Sequence, residues 1–237
     1  AETGVAPILL DLSSFEAEVD EQCLHRLLAA KADGGSDWLF VGRLSPNKCQ
    51  HDLVKALAVH RRLYDPKARL HLVGGSSSDA YTAAVEGYAA ELGLADAVDV
   101  TGAVTPGELA AHYKAADVFV CVSEHEGFCV PLVEAMWNKV PVVAYASSAV
   151  PETLGDGGVL LPAKDGATVA AAVDRVLGER DAVVAAGADR LRAFDLEHTR
   201  AQWVDLLQTA ELCGSSGASA QTIRTVRGGG GGGGVSV

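Results

Sequence analysis

The 237-residue sequence contains no apolar run near the roughly 18 residues that a membrane-spanning helix requires. No signal peptide is recognisable at its start either. The expectation is therefore a cytoplasmic protein that spans no membrane, with room for attachment at the inner face of one. Cysteine is sparse: Cys23, Cys49, Cys121, Cys129 and Cys213 are an odd number and show no C-x-x-C spacing. That excludes a zinc ribbon and a disulfide framework and fits a reducing compartment. Positive charge is short as well. Nineteen Lys and Arg face 31 Asp and Glu, for a net charge of −12 and a pI near 4.9. A nucleic-acid partner needs a basic face, so none is expected, although one local anion site remains affordable. Two phosphate-binding signatures are missing, the Walker G-x-x-x-x-G-K-[ST] and the dinucleotide fingerprint G-x-G-x-x-G.

What is present is an alternation of apolar runs with helical patterns. The runs at 37–42, 69–74, 98–102, 117–122, 140–145 and 158–161 read as strands, and those that are continuously apolar rather than alternating predict strands covered on both faces. Between them, residues 49–64, 79–93, 106–115, 129–138 and 167–178 have helical periodicity. This order predicts an α/β fold, a Rossmann-like, doubly wound parallel sheet of about six strands with helices on both faces. Pro106 with Glu108 marks one helix start, and Gly93 closes the helix before it. The expected organisation is an extended connector and entry helix over 1–36, with the helix at 16–31. The α/β unit follows over 37–178, then two helices within 179–214 (180–194 and 197–212), and a Gly/Ser-rich tail over 215–237. Residues 228–234 are an unbroken glycine run, which reads as a linker, an engineered remnant or a native flexible tail.

Two places carry charge where a ligand of an open α/β sheet would bind, at the carboxyl ends of strands. The first is Gly42-Arg43-Leu44-Ser45-Pro46-Asn47-Lys48, after the first strand. Gly42 permits a close turn, Arg43 and Lys48 bring two cations, and Asn47 or Ser45 can cap the next helix, whose free N–H groups suit a pyrophosphate. A solvated Arg and Lys near a helix start is the alternative. The second is Glu126-Gly127-Phe128-Cys129-Val130-Pro131-Leu132-Val133-Glu134, which passes from the fourth strand into a helix. A carboxylate can accept from two hydroxyls of a sugar at once. Taken alone, Glu134 also reads as a helix-surface acid favoured by the dipole, and Glu126 beside Glu124 as a solvated acidic loop. His125 reads as a loop histidine held by its neighbours, and Cys129 as a small packing residue. Leu132, Met136 and Trp137 read as core. Glu152 either caps a short helix or touches substrate, and the acids at 16, 18, 20 and 21 form a solvated face.

Together these segments resemble the donor-binding half of the family-four retaining glycosyltransferases, which have the GT-B fold. The resemblance rests on residues 41–48, Val73-Gly74-Gly75, residues 100–104, the 126–134 block with Ala135-Met136, and Pro141-Val142-Val143-Ala144, in the family's order. It implies one of the two domains of a GT-B enzyme. Arg43 and Lys48 would neutralise the donor's pyrophosphate and assist its departure, with Glu126 on hydroxyls of the transferred sugar and Glu134 on the ribose. Gly127, Phe128 and Cys129 would lend backbone contacts, the Val130 N–H would approach the phosphates, Gly42 and Gly75 would line the site, and the turn from Gly102 to Val104 would frame the base. No metal or other cofactor is implied, and no D-x-D lies near the site. The resemblance further implies that the chain starts at an interdomain connector, that the N-terminal acceptor-binding domain is a missing partner, and that this half alone transfers little. A hexose of mannose or glucose type is the implied cargo, and peripheral membrane association of the full enzyme is compatible with it. The runner-up readings are a sugar-nucleotide 2-epimerase and a non-catalytic nucleotide-sugar-binding module.

Overall fold

Six short strands, β1 (Asp37–Val41), β2 (Arg69–Val73), β3 (Val98–Gly102), β4 (Val118–Cys121), β5 (Val142–Tyr145) and β6 (Val159–Leu161), form one parallel sheet. The computed structural model describes residues 8–214; the expected tail at 215–237 lies outside them, as do residues 1–7. Each strand falls within two residues of its expected position. The central strands β1, β4 and β5 are largely apolar because both faces are covered: Trp38, Val118, Phe119, Val142 and Val143 are fully buried, whereas the edge strand β3 carries Asp99 and Thr101 and has no fully buried residue. Burying one such side chain contributes roughly 1.5–3 kcal/mol, so the central strands dominate the core.

The helices are α1 (Glu21–Ala30), α2 (Gln50–Leu63), α3 (Asp79–Glu91), α4 (Pro106–Ala115), α5 (Val130–Trp137), the short α6 (Val150–Leu154), α7 (Gly166–Gly178), α8 (Arg180–Leu191) and α9 (Leu196–Gly214). Helix α2 packs against α7 and α3, α1 against α4, and α5 against α8. Thr105 and Glu108 form a reciprocal capping box at the start of α4, and Asp165 caps α7 by accepting from the Thr168 N–H at 3.0 Å.

The sheet order is β3-β2-β1-β4-β5-β6, so the chain reverses direction across the sheet between β1 and β4. The crevice outside the carboxyl ends of that pair is the topological switch point, where ligands of doubly wound sheets bind.

Several local expectations are corrected. The entry helix starts at Glu21 rather than residue 16, because Asp20 accepts from the Cys23 N–H at 2.8 Å and caps it. Asp20 is therefore a cap rather than part of a solvated acidic face, whereas Glu16, Glu18 and Glu21 are exposed. Within the expected extended start, Leu12–Phe15 is a 3₁₀ turn that packs on α5. Leu132 and Met136 are buried as expected, but Trp137 is only half-buried, since it ends its helix at the rim of the core.

Candidate functional site

The β1 edge of the switch point is built by backbone. Gly42, at φ 153°, donates to the Val73 carbonyl at 2.9 Å, and the Leu44 N–H donates to the Gly75 carbonyl at 2.9 Å. A Cβ on Gly74 (φ 141°) would run into the Gly42 carbonyl oxygen, so two glycines let the ends of β1 and β2 approach this closely. Pro46–Lys48 then forms a 3₁₀ turn, and Cys49 takes a left-handed conformation (φ 56°) before α2. Neither Ser45 nor Asn47 caps α2: the Ser45 hydroxyl donates to Asn47 Oδ1 at 2.7 Å, and the extra turn moves both away from the helix start. The turn aims Lys48 across the switch point instead.

There Lys48 Nζ meets Glu126 Oε1 at 2.6 Å, with both side chains largely buried. The sequence places these residues 78 positions apart, on the β1 and β4 loops. The two loops are also joined by backbone, Glu124 N–H to the Asn47 carbonyl at 2.9 Å. Lys164, from the loop after β6, locks the same junction. Its Nζ lies 2.9 Å from Asp52 Oδ2 and from Glu124 Oε1, and donates to Cys49 Sγ at 3.1 Å. Sequence reasoning missed Lys164; its signal was a cation placed directly after a strand at the sheet's carboxyl edge. Glu124 is consequently ion-paired rather than an acid held only by solvent.

The 126–129 turn is held from the β5 side. Thr153 Oγ1 donates to the Phe128 carbonyl at 2.6 Å, Ser147 Oγ to the Ser123 carbonyl at 2.5 Å, and the Ala149 N–H to the Glu126 carbonyl at 3.4 Å. His125, exposed, shares a hydrogen bond of 3.1 Å with the Ser148 hydroxyl, which fits the expected loop histidine. Cys129 is left-handed (φ 67°) and buried, and Val130 and Pro131 open α5, so the first N–H groups of that helix face the turn.

Glu134 lies one turn into α5. Its Oε2 accepts from the Tyr113 hydroxyl at 2.8 Å, and its Oε1 has no protein partner among the described residues. Burial pushes the Glu134 pKa up, opposed by the Tyr113 hydrogen bond. Burial, together with the Glu134 charge, holds the Tyr113 phenol well above its usual range. A carboxylate with one oxygen fixed and the other free can still accept from a ligand hydroxyl.

Lys48, Glu126, Cys129 and Val130 lie on the β1 and β4 loops at the switch point, and the other expected site residues line three spaces. Gly42, Arg43, Gly75 and Val104 line a cleft of about 520 Å³, in which the Arg43 side chain is exposed and makes no ion pair among the described residues. Leu109 lines that cleft and also a small pocket of about 70 Å³ that holds Glu134. Gly127 and Phe128 line a second cleft of about 510 Å³ with Glu152 and Arg190. Glu152, in the first turn of α6, both faces that cleft and complements the helix start.

A parallel sheet ordered 3-2-1-4-5-6 with its switch point between β1 and β4 defines a Rossmann-like α/β domain, the architecture of one domain of a GT-B fold. The chain belongs to the family described as glycosyl transferases group 1, which matches residues 29–188. It is 35% identical over 235 residues to a D-inositol 3-phosphate glycosyltransferase of Geodermatophilus obscurus, covering 95% of this chain and 50% of that protein. It is 37% identical over 172 residues to a GDP-mannose-dependent alpha-(1-6)-phosphatidylinositol monomannoside mannosyltransferase of Mycobacterium tuberculosis, covering 69% and 42%. The chain thus spans about half the length of these relatives. Among solved structures, Anabaena Alr3699/HepE in complex with UDP and glucose superposes with a TM-score of 0.70 at 23% identity, over 85% of this chain and 55% of that one. No helix among the described residues is long and apolar enough to cross a membrane.

Proposed function

We propose that this chain is the donor-binding half of a retaining glycosyltransferase. It would present a hexose of mannose or glucose type, on a nucleoside diphosphate, to the hydroxyl of an acceptor held by a second domain. The observation that carries this reading is the Lys48–Glu126 pair at the β1/β4 switch point, flanked by the cleft of Gly42, Arg43, Gly75 and Val104. In this reading the donor's base lies toward Val104, its ribose toward the free oxygen of Glu134, and its pyrophosphate between Arg43, Lys48 and the first N–H groups of α5.

Sugar hydroxyls take over the Glu126 carboxylate while phosphate oxygens take over the Lys48 ammonium, so the pair is exchanged for two charge-assisted contacts with the donor. As the bond from the anomeric carbon to phosphate breaks, negative charge grows on the leaving pyrophosphate. Two cations and a helix start fixed beside it stabilise that charge more than they stabilise the ground state. Cationic side chains supply this neutralisation, and no metal ion is assigned a part. Glu126 is assigned to binding rather than to nucleophilic attack.

The test uses the chain with GDP-mannose and UDP-glucose, with and without a separately expressed acceptor-binding domain from a relative. Sugar transfer with retained anomeric configuration, seen only in the mixture, is the expected result. Epimerised free sugar would support the isomerase reading instead. Donor binding without turnover in any mixture would support a non-catalytic module.

A further inference from the structure

Cys121 closes β4 and Cys129 opens α5, and their sulfurs lie 4.0 Å apart. Cys121 Sγ is also 4.0 Å from Glu126 Oε1, and the three donor atoms all lie within 4.8 Å of one another. Both cysteines are buried, and Cys129, 7% exposed, borders the site. Neither thiol side chain has a part in the donor chemistry above.

Two uses of such a pair can be told apart by distance. A disulfide requires an S–S bond of about 2.05 Å, so the sulfurs would have to close nearly half their separation. One sits on a fully buried strand and the other in a left-handed turn, and neither backbone can follow easily. A tetrahedral cation asks for much less movement of the two sulfurs. With Zn–S near 2.3 Å and Zn–O near 2.1 Å, two sulfur ligands lie about 3.8 Å apart, and a sulfur and an oxygen about 3.6 Å. Charge agrees. Two thiolates and a carboxylate around a divalent ion leave one net negative charge, and Lys48, 2.6 Å from Glu126 Oε1, supplies the balancing positive one. A second cluster, Cys49, His51 and Asp52, is weaker, because the Lys164 ammonium already reaches both Cys49 and Asp52.

We propose that Cys121, Cys129 and Glu126 form a site for a thiophilic divalent cation, with Zn²⁺ as the type and water as the fourth ligand. On binding, each thiol loses its proton to solvent, so two protons leave per ion and no electrons move. The ion takes Glu126 from Lys48, and the sugar end of the donor site is no longer available. Metal and nucleotide-sugar then compete; this clause rests on the donor-site reading, whereas the metal site does not.

The experiment titrates the chain with Co²⁺ as a coloured substitute for Zn²⁺, and with Zn²⁺ in weak buffer to count protons. One equivalent should give a thiolate-to-cobalt charge-transfer band and release two protons. The band should survive in C23S/C49S/C213S and vanish in C121S and in C129S, with thermal melting confirming that each variant is folded; C129A replaces C129S if the latter is not. A wild-type chain without the band, or a band that survives in C129S or C129A, overturns the site. In a second arm, one equivalent of Zn²⁺ should weaken GDP-mannose or UDP-glucose binding at least tenfold. An intact cobalt band with undiminished donor binding overturns the competition. An intact band with no nucleotide binding in either condition overturns the donor reading and leaves the metal site standing.

Discussion

Lys48 and Glu126 satisfy one another before any ligand arrives, which is how two opposite charges can wait at the largely buried mouth of a sheet. Leaving either one alone there would be costly, because a buried charge without its partner keeps its full desolvation penalty. Lys48→Met should therefore both weaken donor binding and lower stability, whereas Arg43→Ala, at an exposed position, should weaken binding without moving the melting temperature. Paired titrations and melts of the two variants check this. Glu134→Gln should weaken nucleotide binding about 10- to 100-fold, the loss of one or two charge-assisted hydrogen bonds at roughly 1.5–3 kcal/mol. Equal affinity for nucleotide in Glu134→Gln and the parent would contradict its ribose assignment.

Away from the site, His71 makes the clearest pH prediction. Burial lowers its affinity for a proton, but hydrogen bonds and charge from Asp37 (3.5 Å) and Asp99 (3.4 Å) outweigh burial and raise its pKa from 6.5 to about 9. Arg69 shares Asp37, and His112, 5.7 Å away between ring centres, is held neutral by burial and by the His71 charge, with its pKa lowered to about 4. His71 is protonated in the folded state and loses its proton more readily unfolded. Its contribution is therefore complete below about pH 6.5 and is lost as pH rises through 9. By linkage it is worth about 3 kcal/mol. Denaturant unfolding should show stability falling across that window, with the slope gone in His71→Gln; a parent protein equally stable at pH 6.5 and 9 would refute the assignment.

At the scale of elements, the site is a meeting of loops, and Lys164 is the post that holds three of them. Its pair with Glu124 is partly solvated and worth little, about 0.2–1 kcal/mol, whereas Asp52 is nearly as enclosed as Glu126 and would be left there without its partner. Lys164→Met is therefore expected to lower the melting temperature as well as reduce donor affinity several-fold, with Lys164→Arg recovering part of both losses. Calorimetry beside thermal melting separates the two effects. At the other edge, Gly74→Ala should destabilise the fold by roughly 2 kcal/mol or more, because the new Cβ meets the Gly42 carbonyl in a backbone conformation that L side chains rarely adopt. Chemical denaturation is the direct check.

The elements also show what could be read in advance. Strands 37–42 and 117–122 were legible because burial on both faces writes a nearly uninterrupted apolar run, and the start of α4 was legible because Pro106 with Glu108 is a local code, which the Thr105 cap completes. The turn into α2 was not, since nothing local announces a left-handed Cys49 where a Ser or Asn cap is the ordinary choice. The contact of Cys121 with Cys129 and the reach of Lys164 to Asp52 depend on how loops fold back over the sheet, and no sequence period records that.

On the whole molecule, strand order places Arg43, Lys48, Glu126 and Glu134 on loops and helix starts at the same edge of one sheet. A net charge of −12 makes such an anion site a local exception, so nucleotide affinity should fall with added salt as Arg43 and Lys48 are screened. The chain matches its group 1 relatives over about half their length, which is why donor binding and acceptor binding are proposed to belong to different domains. Donor binding is the central claim. Isothermal titration of the chain with GDP and with UDP tests it most directly. The account predicts one-to-one binding of at least one of them, lost or strongly weakened in both Arg43→Ala and Glu134→Ala; folded protein that binds neither nucleotide would contradict it.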